Sequence, residues 1–220
     1  LCLATSTAHA ADVDLSMEPF NAAIKESTIR LAGYIAGPSA KAPSRPVEFV
    51  TITGGTFIMG TDNGRWKEQP PHAVVVPTFD MSHAVVTVEQ YAECVSKGHC
   101  TAPGTGPGCN WGRTGRERHP VNCVRWKDAD DFSKFKGARL PSESEWEYAA
   151  TSGGRNWKYP WGNDAPACDR VVMSGCGDGG TKPVCSKPAG NTQQGLCDMA
   201  GNVWEWTQDW YHDSYKRAPT

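Results

Sequence analysis

The residues best suited to chemistry in this chain stand in the run GLCDMAGNVWEWTQDWY, residues 195–211, where Asp198 and Glu205 flank a glycine turn and Trp204, Trp206 and Trp210 follow. The two carboxylates, with a bend at Ala200, Gly201 and Asn202 that can turn main-chain carbonyls inward between them, make a donor set composed of oxygen alone. Such a set suits calcium, which takes roughly six to eight oxygen ligands and tolerates irregular geometry. The same residues also read as plain architecture, with the tryptophans as core aromatics on an alternating strand edge and the acids solvated or capping a turn. No complete EF-hand loop is present to decide between the two readings.

Cysteine supplies the second possible chemistry. The opening LCLA, followed by Ala8-His9-Ala10, has the apolar run and small-x-small pattern of a secretory leader remnant, so residues 1–10 are assigned to it and the chain to an exported, periplasmic or extracellular location. Nine cysteines less Cys2 leave an even set: Cys94, Cys100, Cys109, Cys123, Cys168, Cys176, Cys185 and Cys197. An even set in an exported chain points to disulfides. Cysteine-ligated zinc is disfavoured, because there is no CxxC pair, no HExxH, and the six histidines are scattered. Eight cysteines allow about 105 connectivities. Pairing of nearest neighbours is attractive, since Cys94 with Cys100, Cys109 with Cys123, Cys168 with Cys176 and Cys185 with Cys197 would each close a short loop, at about 2–4 kcal/mol apiece if unstrained.

Elements must hold these groups in place. Thr87 and Gln90 form a capping box ahead of a helix ending at Gly98, with Tyr91, Ala92 and Val95 on its inner face. A second helix is predicted over residues 126–136; Asp128, Asp130 and Asp131 near its start read as complements to the helix dipole rather than as a metal site. The third starts at Ser142, with Glu145 returning the capping-box bond and Trp146, Ala149 and Ala150 inward. Glu143 and Glu147 are expected to face water, and none of these acids has a partner nearby in sequence for general-base work. Residues 49–59 read as two strand pieces around a tight turn at Gly54-Gly55, and Val74–Val76 with Phe79 as a further strand.

The blocks ITGGTFIMGT, EQPPHAVVV, HPVNCVRWKDA, ARLPSESEWEYAA, YPWGND and GLCDMAGNVWEW resemble, in order, those of the formylglycine-generating enzyme family, the sulfatase-modifying-factor domain. The resemblance covers residues 47–220 and implies an α+β fold: irregular, loop-rich and C-type-lectin-like, with short strands and about three helices. It places a structural calcium on Asp198, Gly201, Val203 and Glu205, the glycine and valine through carbonyls, and a second near Asp169, Arg170, Cys176 and Asp178. The family's oxidising members bind copper through two cysteines lying beyond the WEW block, after a basic glycine-rich segment. The chain reaches Thr220 before such a segment. The domain is therefore expected to be truncated at its C-terminus, with no catalytic residue assigned, and copper enters only if residues further on supply the pair.

Residues 11–46 are expected to form an N-terminal extension, a short amphipathic helix over 17–31 and a Pro/Ser linker, GPSAKAPSRP. A net charge of −2 leaves no basic field for nucleic acid, and no membrane span is expected. Two functions remain open. One is the family activity, oxidation of a cysteine in a sulfatase-type protein or peptide substrate to formylglycine. The other is a catalytically silent, calcium-braced binding or accessory module on the same scaffold.

Overall fold

The computed structural model describes residues 1–6, 44–177 and 179–215. The amphipathic stretch at 17–31 and most of the linker lie outside them. Five short strands and three α-helices carry the described domain, in the order β1 (Ala4–Ser6), β2 (Phe49–Ile52), β3 (Gly55–Met59), β4 (His72–Val76), β5 (Phe79–Ser82), α1 (Val88–Ser96), α2 (Trp126–Phe135) and α3 (Glu143–Ala150).

β5 is the middle strand of a three-stranded antiparallel sheet, with β1 on one side and β2 on the other. Met81 lies opposite both Ala4 and Val50. β3 and β4 form a separate antiparallel pair, Gly55 opposite Val76 and Met59 opposite His72. Side chains alternate across a strand, and here Phe57, Met59, Val74 and Val76 turn into the core while Ile58 and Val75 are exposed. The two strand pieces expected over residues 49–59 exist, but the bend at Gly54 sends them into different sheets instead of closing a hairpin. A Cβ on Gly54 would stand 2.3 Å from the Val76 carbonyl oxygen, so only glycine lets β4's end pass that close.

The first residues of the stretch read as a leader remnant are packed into the domain. Leu1, Cys2, Leu3 and Ala4 are buried, Leu3 N donates to Ser82 Oγ at 2.9 Å, and Ala4 exchanges main-chain hydrogen bonds with Arg139. Strand alternation divides them: Cys2 and Ala4 join a core with Ile52, Phe79, Met81, Tyr148 and Met199, whereas Leu1 and Leu3 join a second with Tyr91, Phe132 and Leu140. A short apolar run satisfies a leader and a buried strand equally, and periodicity alone does not separate them. Residues 7–10 lie outside the described residues.

The helices start where their caps predict. Thr87 Oγ1 accepts from Gln90 N at 3.3 Å while Gln90 Oε1 accepts from Thr87 N at 2.9 Å, and Ser142 with Glu145 repeats the arrangement on α3. α1 buries Val88, Tyr91 and Cys94, a face rotated from the predicted one because Cys94 must turn inward to reach Cys100. On α3, Tyr148, Ala149 and Ala150 are buried and Trp146 only half so. All four disulfides join nearest neighbours, with Cα–Cα distances of 5.3, 5.6, 5.3 and 5.0 Å in chain order. They staple a domain whose second half has little regular structure. Among the described residues no helix is long and apolar enough to cross a membrane.

Candidate functional site

The run after Met199 is a loop, pinned from both sides. Its turn is held by the 172–182 segment: Asn202 N donates to the Val172 carbonyl at 2.9 Å, Asn202 Oδ1 accepts from Lys182 N at 3.0 Å, and Asn202 Nδ2 donates to the Lys182 carbonyl at 3.2 Å. Gly201 has φ +81°, and a Cβ there would meet the Val172 oxygen at 2.4 Å. Further on, Trp206 Nε1 donates to the Val124 carbonyl at 3.1 Å, Trp126 Nε1 to the Thr207 carbonyl at 2.8 Å, and Gln208 N to the Pro141 carbonyl at 2.8 Å. Asp209 Oδ2 accepts from Glu143 N at 2.6 Å, using one of the main-chain donors that a helix start leaves free.

Within this clamped stretch lie the residues of the implied calcium position. Asp198, at φ +57°, is buried, and its Oδ2 accepts from Cys185 N at 2.8 Å. Burial holds its carboxyl above the usual range, the Cys185 and Asn202 donors oppose this, and the nearby Glu205 adds to it. Glu205 faces Cys2 as well: burial first, then the Glu205 charge, pushes that thiol well up. Glu205 Oε2 is buried and receives no hydrogen bond. An unpartnered buried carboxylate oxygen costs about 1–3 kcal/mol or more, and two carboxylates in mutual repulsion add to that. A hard cation removes both costs, so the donor set fits calcium. Gly201 O takes Val203 N–H at 2.7 Å and keeps a second lone pair.

The tryptophans are not core residues. Trp204 is 98% exposed and Trp210 87%, with Tyr211 beside them also exposed. Sequence alternation was blind to this because the segment is a loop and has no face to bury. Copper does not fit among the described residues: eight cysteines are in disulfides and the remaining one, Cys2, is fully buried against a carboxylate.

Other acids have structural roles. Asp128 Oδ1 and Oδ2 take both arms of Arg125, while Asp130 pairs with Lys134 and Asp131 with Lys127. Glu147, expected to face water, is instead half-buried and accepts from Gly60 N at 2.8 Å, with burial raising its carboxyl. Around the second implied calcium site, Asp169 is exposed, Arg170 pairs with Asp164, Cys176 is in a disulfide and Asp178 lies outside the described residues. One residue that motif reading passed over is His83, whose ring lies against the Cys185–Cys197 disulfide. Lone spacing signals cannot bring residues together from so far apart in the chain.

A loop-rich α+β domain, stapled by disulfides and braced at a glycine turn with paired acids, defines a class, and comparison with known proteins identifies it. The sulfatase-modifying factor enzyme 1-like domain model matches residues 36–219, and the chain belongs to that family. It is 32% identical over 241 residues to the formylglycine-generating enzyme of Streptomyces coelicolor, covering 84% of this chain and 76% of that one. It is 35% identical over 186 residues to the serine/threonine-protein kinase Pkn1 of Chlamydia trachomatis, covering 78% of this chain but only 29% of the kinase. Among solved structures it resembles PvdO from Pseudomonas aeruginosa, with a TM-score of 0.65 and 28% identity over 82% of this chain and 80% of that one.

Proposed function

We propose that this chain is the substrate-facing scaffold of a formylglycine-generating-enzyme-like domain, engaging a protein or peptide such as a sulfatase whose cysteine the family activity oxidises to formylglycine. The observation that carries the reading is the aromatic rail of Trp204, Trp210 and Tyr211, exposed in front while Trp206, Thr207, Gln208 and Asp209 anchor it behind. Large aromatics on a rigid backbone bind polypeptide at low entropic cost. In this reading a calcium ion at Asp198, Gly201, Val203 and Glu205 fixes the turn that launches the rail. Similarity to the Streptomyces enzyme supports the substrate class. An exported, periplasmic or extracellular location belongs to the same reading, since disulfides persist in oxidising compartments. Copper enters only through a cysteine pair supplied from outside this stretch of chain.

A second reading, a catalytically silent calcium-braced binding or accessory module, is favoured by the engagement of eight cysteines in disulfides. One experiment separates the two. The protein in its natural full-length context is supplied with copper(I), oxygen and a cysteine-containing sulfatase peptide, with binding followed by fluorescence anisotropy and the thiol-to-aldehyde conversion by mass spectrometry. Conversion supports the oxidase; binding without conversion supports the module. Absence of binding, or binding indifferent to Trp204→Ala and Trp210→Ala, overturns both.

A further inference from the structure

Among the described residues, the Cys185–Cys197 disulfide is joined by a third metal-ligating side chain. His83, just after β5, places Nε2 3.6 Å from Cys197 Sγ and Nδ1 4.0 Å from Cys185 Sγ. Among the described residues, His83, Cys185 and Cys197 are the one group of three metal-ligating side chains whose ligand atoms all lie within 4.8 Å of one another.

The placement does not depend on the S–S bond. His83 N donates to the Glu48 carbonyl at 2.8 Å, and the His83 carbonyl accepts from Cys197 N at 2.8 Å, so the main chain itself lays the imidazole against Cys197. Cys185 is held separately, its N–H on Asp198 Oδ2 at 2.8 Å. Opening the bond therefore leaves the main chain of all three residues anchored and frees the two sulfurs to separate. Tetrahedral zinc, with Zn–S near 2.3 Å and Zn–N near 2.0–2.1 Å, requires N···S edges of about 3.6 Å and an S···S edge of about 3.8 Å. The His83–Cys197 edge already has that length, and the sulfurs need only move apart once unbonded. Nε2 is the ring nitrogen nearer a sulfur, at 3.6 Å from Cys197 against 4.0 Å for Nδ1 from Cys185, while Glu48 Oε2 lies 4.0 Å from Nδ1, beyond hydrogen-bond distance.

We propose that reduction of Cys185–Cys197 creates a Cys2His site for Zn2+, with a fourth position open. A dithiol reductant supplies two electrons and two protons: its thiolate attacks the half-buried Cys185 Sγ, Cys197 Sγ leaves and is protonated, and the reductant's second thiol closes its own disulfide, freeing Cys185. The cation then displaces both thiol protons to solvent and binds two thiolates and the neutral imidazole. His83 is accessible enough for entry, its side chain being 37% exposed. The site is distinct from the oxygen-lined position proposed for calcium, although Asp198 adjoins both.

Zinc alone is the probe. Oxidised and anaerobically dithiol-treated protein are desalted, the opened cysteines are mapped by alkylation, and zinc is titrated in competition with a colorimetric chelator. Reduced wild type is expected to hold one zinc more than the oxidised form and one more than a reduced Cys185→Ser, Cys197→Ser double variant, while His83→Gln weakens that zinc by more than about tenfold. The oxidised-against-reduced comparison needs no variant, so it stands even if the double variant folds poorly. Zinc held equally by both redox forms, zinc indifferent to His83→Gln, or a Cys185–Cys197 pair that stays closed in folded protein would each overturn the proposal.

Discussion

Arg139 and Glu145 meet through both arms of the guanidinium, Nη1 at 2.7 Å from Oε2 and Nη2 at 2.6 Å from Oε1, across the start of α3. Glu145 Oε2 also accepts the Ser142 N–H at 2.8 Å, so one buried carboxylate closes the helix cap and ties it to the residue that pairs with β1 through Ala4.

Burial raises the Glu145 carboxyl, but the Arg139 and Ser142 donors outweigh it and the net shift is downward. A carboxyl depressed in the folded state contributes stability that is present above its unfolded pKa and lost as pH falls through the folded value. Glu145→Gln keeps the cap bond and removes the charge, so its urea midpoint should fall less than that of wild type between about pH 7 and pH 3. Equal acid slopes would remove Glu145 from the account. Arg139→Met at neutral pH should cost about 2 kcal/mol, by leaving a buried carboxylate without its partner.

Calcium removal should lower the melting temperature. Saturation at a hundredfold above Kd is worth about 2.7 kcal/mol, which for a domain of this size is about 5–10 °C. Glu205→Gln should abolish most of this response, whereas Asp209→Asn should preserve it, because Asp209 is engaged at the α3 start. Melting curves that are the same with and without chelator would refute the calcium assignment.

Gly201→Ala should destabilise by about 1–3 kcal/mol, since the turn needs φ +81° and the added methyl would collide with the Val172 carbonyl. The calcium response should weaken with it. A neutral effect in chemical denaturation would mean that the turn relaxes without cost.

Thiol titration should find no reactive cysteine in native protein and one in denaturant, because Cys2 is free but fully buried. Two or more reactive thiols in the native, oxidised protein would contradict the four pairings. Removing Cys109–Cys123, which joins residues 14 apart, should cost about 3 kcal/mol by releasing a loop of that length in the unfolded chain.

Much of the architecture was legible because it rests on local rules. Thr87 with Gln90 and Ser142 with Glu145 set helix starts from a four-residue pattern, and the nearest-neighbour cysteine pairing, attractive among many from loop length, is the one the domain adopts. The misread parts share a cause. Glu147 looks solvated until Gly60 is brought to it from the β3 end. The orientation of Trp204 and Trp210 likewise depends on which carbonyls claim Trp206 and Trp126.

The amino-acid order alone settled the family blocks, two helix caps and the pair of acids flanking a glycine turn, all of them legible at short range, while the disulfide partners, one set among about 105, were fixed only by the fold. Tertiary structure alone decided that Glu205 carries a buried oxygen with no hydrogen bond, that the aromatic rail faces outward, and that His83 rests on a disulfide formed far along the chain. Those contacts arise from β-pairing and loop clamping between distant segments, where the partner is chosen by the packing of the whole domain and leaves no local periodicity to read.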